Sequence, residues 1–236
     1  MKHILLLGHE TSLGEEFKQR AQEEYGHIVS VIDGARNYSG YSNQISRYQE
    51  IKGPIHWVVN CHGTNQLDRI GETPYIRGKG DETRPHLFTN SMLVDNVAPI
   101  YWLVNSMVNL GLPAARVLSV ASQTYRIPQT NTAFYCASKA ALVQMSKVMA
   151  RELASQGWVI NCLAPGKIED TAMAAITDKQ VRELRDWTEE EAEQYARRNI
   201  PMGRYTNREE VCDAMFRILE LPPYINGTCI DMTGGA

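Results

Sequence analysis

The run His3 to Leu7, HILLL, reads as a buried strand, and it passes without a break into Gly8–Gly14, GHETSLG. A helical pattern follows through about Tyr25. A strand, a glycine-bearing turn and a helix in that order leave few choices. The helix N-terminus presents N–H groups without intrahelical partners, and its dipole makes that end positive. The turn therefore forms a natural seat for a pyrophosphate, with Gly8, Thr11, Ser12, Leu13 and Gly14 as its candidate residues. An ordinary βα turn has the same outline, so the rest of the chain must decide.

The segment HIVSVID, 27–33, reads as a second parallel strand ending in Asp33, 25 residues after Gly8. An acidic residue at that place can accept hydrogen bonds from an adenosine ribose and would repel a 2′-phosphate. Arg36 stands close by. Residues 35–54 read as a polar loop and one short helix, roughly 42–51. IHWVVN, 55–60, is the next buried strand, followed by Cys61, His62 and Gly63. Residues 64–90 form a long polar stretch carrying Arg69, Arg77, Lys79, Arg84 and His86. Loops of that length are usually functional or mobile, which suggests a substrate-side flap; a solvated charged loop is the plainer reading. A helix over about 92–110 follows, with apolar spacing through Val94, Val97, Tyr101, Val104 and Val108, and Asn96 falls inside it. Strands are expected at 116–121, 158–166 and 225–235. Residues 172–200 are helical and strongly charged, and a last helix ends near Leu221.

The chemistry gathers in Ser119–Lys139, SVASQTYRIPQTNTAFYCASK. With a helix from Ala133, Tyr135 and Lys139 stand at i,i+4 on one face. A free tyrosine titrates near pKa ~10 and is a poor acid or base at neutral pH. A neighbouring ammonium favours the phenolate, and a tyrosine tuned in this way can exchange a proton with a substrate oxygen. Ser122 follows an apolar run, 13 residues before Tyr135, and can donate a hydrogen bond to the same oxygen. A Tyr-x-x-x-Lys pair alone also describes a surface tyrosine and a solvated lysine.

The bulk numbers exclude several classes. At 236 residues, 43% apolar and 22% charged, the chain suffices for one large α/β domain with a substantial core. A net charge of −3 gives no sign of a nucleic-acid or anionic-membrane surface. The longest apolar runs are strand-sized, far short of a membrane span, and a strand so near the start leaves no room for a signal peptide. Five cysteines without C-x-x-C spacing read as reduced thiols in a cytoplasmic protein. The histidines have no metal-ligand spacing, so no metal is expected.

In order and spacing these segments resemble the classical short-chain dehydrogenase/reductase family, from Ile4 to Gly235. The family pattern T-G-x-x-x-G-x-G is matched by Gly8 and Gly14; Ser12 stands at the middle glycine and Leu7 at the threonine. N-N-A-G is matched by Asn60 and Gly63, with Cys61 and His62 substituted, and His62 is expected to form a cofactor wall. P-G-x-[IV]-x-T is matched by Pro165, Gly166 and Ile168; Asp170 stands at the threonine, and Thr171 follows one residue late. The resemblance implies an α/β fold, a Rossmann-type doubly wound and mostly parallel sheet. It implies a single domain over residues 1–236 that lacks the usual third, edge strand.

It further implies an NAD(H)-dependent oxidoreductase that interconverts a secondary alcohol and a carbonyl, with NADP(H) left open by Arg36. Tyr135 would be the acid/base. Lys139 would lower its pKa and bind the nicotinamide ribose. Ser122 would bind the substrate oxygen, and Asn96 would hold a relay water. Tyr125 and Ile127, and Met173, Ile176 and Trp187 in a lid over 172–200, are placed to face a small-molecule substrate. A homodimer or homotetramer is implied as well. The alternatives are a non-catalytic cofactor-binding sensor, or an epimerase or dehydratase of the same fold without net redox chemistry.

Overall fold

The computed structural model describes residues 1–33, 38–65, 67, 92 and 94–236. Gly34, Arg36 and most of the basic stretch 64–90 lie outside the described residues. The strands are β1 (His3–Leu7), β2 (Ile28–Ile32), β3 (Trp57–Asn60), β4 (Arg116–Val120), β5 (Val159–Pro165) and β6 (Cys229–Met232). The helices are α1 (Ser12–Glu23), α2 (Tyr41–Lys52), α3 (Ala98–Asn109), α4 (Ala133–Leu153), α5 (Ala172–Arg185), α6 (Glu189–Arg198) and α7 (Arg208–Glu220). The strands form one six-stranded sheet in the order β2-β1-β3-β4-β5-β6, and every pairing is parallel.

The sheet is covered on both faces, which is why its strands are apolar throughout rather than alternating with polar residues. Leu5 and Leu7 of β1 pack into a layer with Ile45 of α2, Leu103 of α3 and Leu142 of α4. Ile4 and Leu6 face the opposite layer, with Phe17 of α1 and Phe216 of α7. That division follows from the two-residue period of a strand. Among the described residues no helix is long and apolar enough to cross a membrane.

The expected loss of the third strand holds among the described residues, and the structure shows what replaces it. A β2 edge left bare would expose a row of unpaired backbone groups. Helix α2 lies along it. Gln44 accepts from the Asp33 amide at 3.1 Å and donates to its carbonyl at 3.2 Å. Tyr48 donates to the Val31 carbonyl at 2.8 Å, and Lys52 to the Val29 carbonyl at 3.3 Å. The two spacings nearly match: four helical residues rise about 6 Å, and two strand residues about 6.6 Å. One helical stripe thus meets alternate residues of the strand running the other way. Removing one such bond costs about 1 kcal/mol, so Tyr48→Phe is expected to lower the unfolding free energy by that amount, read as a lower urea midpoint at an unchanged slope.

Candidate active site

The candidate residues converge at the carboxyl ends of the strands. Chain order reverses between β1 and β3, the switch point where open α/β sheets bind ligands. Gly8 leaves β1 with φ 76°, in the left-handed region, and a Cβ there would strike the backbone of Cys61 and His62. Gly14 presses on the Gly8 carbonyl so closely that any Cβ would collide with it. The two glycines let the first turn and the β3 exit touch. Thr11 caps α1: its hydroxyl accepts from the Gly14 amide at 3.0 Å and donates to the Gly8 carbonyl at 2.8 Å. The amides of Ser12 and Leu13 have no intrahelical partner by helix geometry. That positive end fits the pyrophosphate of a dinucleotide.

Ser12 does not crowd this turn. Its hydroxyl reaches across and accepts from the Ala172 amide at 3.2 Å, which joins the turn to the first residue of α5. Asp33 sits at the end of β2 with its side chain 70% exposed, and His9 Nε2 lies 3.8 Å from its carboxylate. His62 is turned toward the first turn, with Nδ1 3.0 Å from Glu10. Cys61 is buried, and burial pushes its thiol up. Asn60 is buried and accepts from the His62 amide at 3.1 Å.

Tyr135 and Lys139 lie one turn apart on α4, with the ammonium 5.8 Å from the phenol ring centre. Ser122 lies beside the Tyr135 phenol and pulls its pKa down, and its hydroxyl accepts from the Thr124 amide at 3.3 Å. Lys139 donates to the Val120 carbonyl at 3.1 Å. Asn96 is fully buried. It accepts from the Thr64 amide at 2.7 Å, and donates to the Thr64 carbonyl at 3.0 Å and to Ser138 at 2.8 Å. A Cβ on Gly63 would lie 3.1 Å from both Asn96 Oδ1 and Lys139 Nζ. Glycine there keeps open the space between the asparagine and the lysine.

One expectation is corrected. The lysine does not hold the tyrosine low: burial pushes Tyr135 up to about 12, against a smaller downward pull from Ser122. Burial also brings Lys139 down to about 8. Both groups lie out of water, and desolvation is the largest cause of each shift. At neutral pH Tyr135 is a neutral donor.

At the exit of β5, Gly166 donates its amide to the Met232 carbonyl at 2.9 Å, and a Cβ on it would lie 3.1 Å from Gln123 Oε1. Pro165 closes β5, and Ile168 bridges to Thr206. Asp170 takes the left-handed backbone, φ 54°, and the chain turns there into α5. Thr171 caps that helix and accepts from Ala174 at 3.1 Å; its side chain is engaged in the cap. Tyr125 lies close to Cys229 and Asp231. Trp187 packs within residues 172–200, its ring 5.0 Å from that of Tyr195 at a tilted angle and 4.6 Å from the Arg185 guanidinium. Helix α5 is held by Lys167 to Asp178 at 2.6 Å and Arg185 to Thr130 at 2.7 Å. Ser138, Thr64 and Gln123 were not anticipated. Of these, only Ser138, one residue before Lys139 on the same helix, could have been suspected from spacing.

A family model for enoyl-(acyl carrier protein) reductase matches residues 9–236. The chain belongs to that family, and with it to the short-chain dehydrogenases/reductases, oxidoreductases that bind nicotinamide cofactors. Among proteins it is similar to is carbonyl reductase family member 4 of Danio rerio, 28% identical over 97% of this chain and 87% of that protein. Another is the 3-oxoacyl-[acyl-carrier-protein] reductase of Mus musculus, 29% identical over 80% of this chain and 71% of the other. In three dimensions the chain is similar to an actinorhodin polyketide ketoreductase variant solved with NADPH. The TM-score is 0.81 at 21% identity, covering 99% of this chain and 96% of that one.

Proposed function

We propose that this protein is a nicotinamide-dependent reductase that converts a ketone to a secondary alcohol, with Tyr135 as the proton donor. The observation that carries the reading is that Ser122, Tyr135 and Lys139 are buried together, with the lysine one helical turn from the tyrosine. Two hydroxyl groups converge where a carbonyl oxygen can accept from both. The cofactor, when bound, supplies the hydride. Ser122 orients the carbonyl oxygen. Tyr135, protonated at neutral pH, passes its proton to that oxygen as negative charge develops there. Lys139 holds positive charge beside the phenol and stabilises the tyrosinate left behind. Asn96, fixed by Thr64 and Ser138, faces the space over Gly63, where a water can return the proton to Lys139. The opposite direction uses the same groups in reverse.

Pyrophosphate would sit at the first turn, against the amides of Ser12 and Leu13, with Gly8, Thr11 and Gly14 shaping it. Asn60, Cys61, His62 and Gly63 would form the adjoining wall. Pro165, Gly166, Ile168 and Thr171 would border the nicotinamide. Asp33 favours NAD(H), because its exposed carboxylate repels a 2′-phosphate. His9 beside it is the nearby group that softens this preference. Asp33→Ser is therefore expected to raise NADPH affinity about tenfold relative to NADH, a change of roughly 1.4 kcal/mol, read by titration. An unchanged ratio would remove Asp33 from the adenosine site.

The relatives' names direct the substrate search to 3-oxoacyl thioesters and small carbonyl compounds. Loss of NADH fluorescence on adding a member of that panel tests the activity. A panel in which no carbonyl compound consumes NADH or NADPH would count against it. The exposed side chains of Tyr101 and Trp102 on α3, and Phe134 and Val148 on α4, support self-association as a dimer or tetramer. Sedimentation velocity measures this directly.

A further inference from the structure

We propose that Cys162 and Cys229 form a reversible oxidation site, closing a disulfide that fastens β5 to the outer strand β6. The two residues are Cα partners in the parallel β5–β6 ladder. Partners in neighbouring parallel strands point to the same face. Strands lie about 4.8 Å apart, inside the window of roughly 4.4–6.8 Å between Cα atoms that a disulfide requires. Both side chains belong to the same core layer, Cys162 within it and Cys229 packed against it.

Access is unequal, in the way such a reaction needs. Cys162 is 1% exposed. Cys229 is half-buried and stands on the last strand of the sheet. An oxidant therefore meets Cys229 first, with Cys162 directly beneath as the resolving thiol. Lys139 and Lys147 favour negative charge on Cys162, while Cys162 and burial push the Cys229 thiol up, so the attack by Cys229 on the oxidant is the slow step. The remaining cysteines are placed differently. Cys61 and Cys212 belong to the layer on the opposite face of the sheet, and Cys136 lies 3.0 Å from the Thr132 hydroxyl on α4.

With hydrogen peroxide as oxidant the steps balance. The Cys229 sulfur attacks the O–O bond; an S–O bond forms, the O–O bond breaks, and water leaves. The Cys162 sulfur then attacks the Cys229 sulfur; the S–S bond forms, the S–O bond breaks, and a second water leaves. The two sulfurs are oxidised, peroxide is reduced, and both thiol protons depart in water. A small dithiol reverses the result. The bond would lie at the base of the loop that begins at Pro165–Gly166.

The test treats the purified full chain with hydrogen peroxide, blocks residual thiols with N-ethylmaleimide, and maps peptides without reduction. A Cys162–Cys229 linked peptide is expected. In parallel unblocked samples, denatured oxidised protein should titrate three of its five thiols, and all five after dithiothreitol. Cys229→Ala, at the more exposed position, should lose the link and keep Cys162 reduced. Recovery of both peptides unlinked would overturn the proposal. So would links that join Cys61, Cys136 or Cys212 in equal yield, or oxidation that dithiothreitol does not reverse.

Discussion

Tyr135→Phe is expected to lower turnover by about 10³-fold, within the range that a positioned acid contributes, while NADH affinity stays unchanged. The substitution removes one oxygen. The ring remains packed in its buried place on α4, and Ser122 keeps the Thr124 amide as a partner. What disappears is the proton donor. A neutral phenol pushed up to about 12 keeps its proton across the working range, which suits reduction: the group must arrive protonated. The structure also implies a cost in the other direction. Oxidation needs the tyrosine as a base, and burial opposes that until the Lys139 charge and bound ligands lower it. Turnover retained in the variant would remove Tyr135 from the acid/base role.

Lys139→Met separates catalysis from stability. Lys139 is fully buried, and burial lowers it from 10.5 to about 8. Its folded value lies below its unfolded value, so the unfolded chain binds more protons between those two points. Stability therefore rises with pH across that window. Below about pH 8 the buried ammonium carries a penalty of roughly 3 kcal/mol, from the size of the shift. Methionine has similar length and no charge, and its loss of the bond to the Val120 carbonyl offsets part of that gain. The variant should be no less stable than the parent at neutral pH, and its stability should no longer rise between pH 8 and 10. Turnover should fall by about 10²-fold or more, because the positive charge beside the developing tyrosinate is gone. A strongly destabilised variant, or one with parental turnover, would contradict this account of Lys139. Denaturant titrations at several pH values and steady-state kinetics provide the two readouts.

Much of this was legible in the sequence because it rests on short-range patterns. HILLL followed by GHETSLG places β1, the turn and α1, and the i,i+4 step from Tyr135 to Lys139 places both on one face of α4. The shortened segment after Asp33 signalled a missing strand. It did not signal the repair, although Gln44, Tyr48 and Lys52 stand at four-residue intervals. Their use depends on which edge of β2 faces outward, and that is a property of the whole sheet. The tyrosine's acidity was misread for a similar reason. Spacing shows that a lysine is near; only packing shows that both groups are out of water. Asp170 and Thr171 illustrate a third limit. Thr171 serves as a helix cap, a task that a motif comparison registers only as a mismatch.

The central claim is that the first turn, Asp33 and the β3 exit bind a nicotinamide dinucleotide beside Tyr135. Fluorescence titration of the purified protein with NADH, and separately with NADPH, tests it most directly. The account predicts saturable binding of NADH, tighter than that of NADPH. Tighter NADPH binding would contradict the part assigned to Asp33, and failure of both to bind would contradict the claim itself.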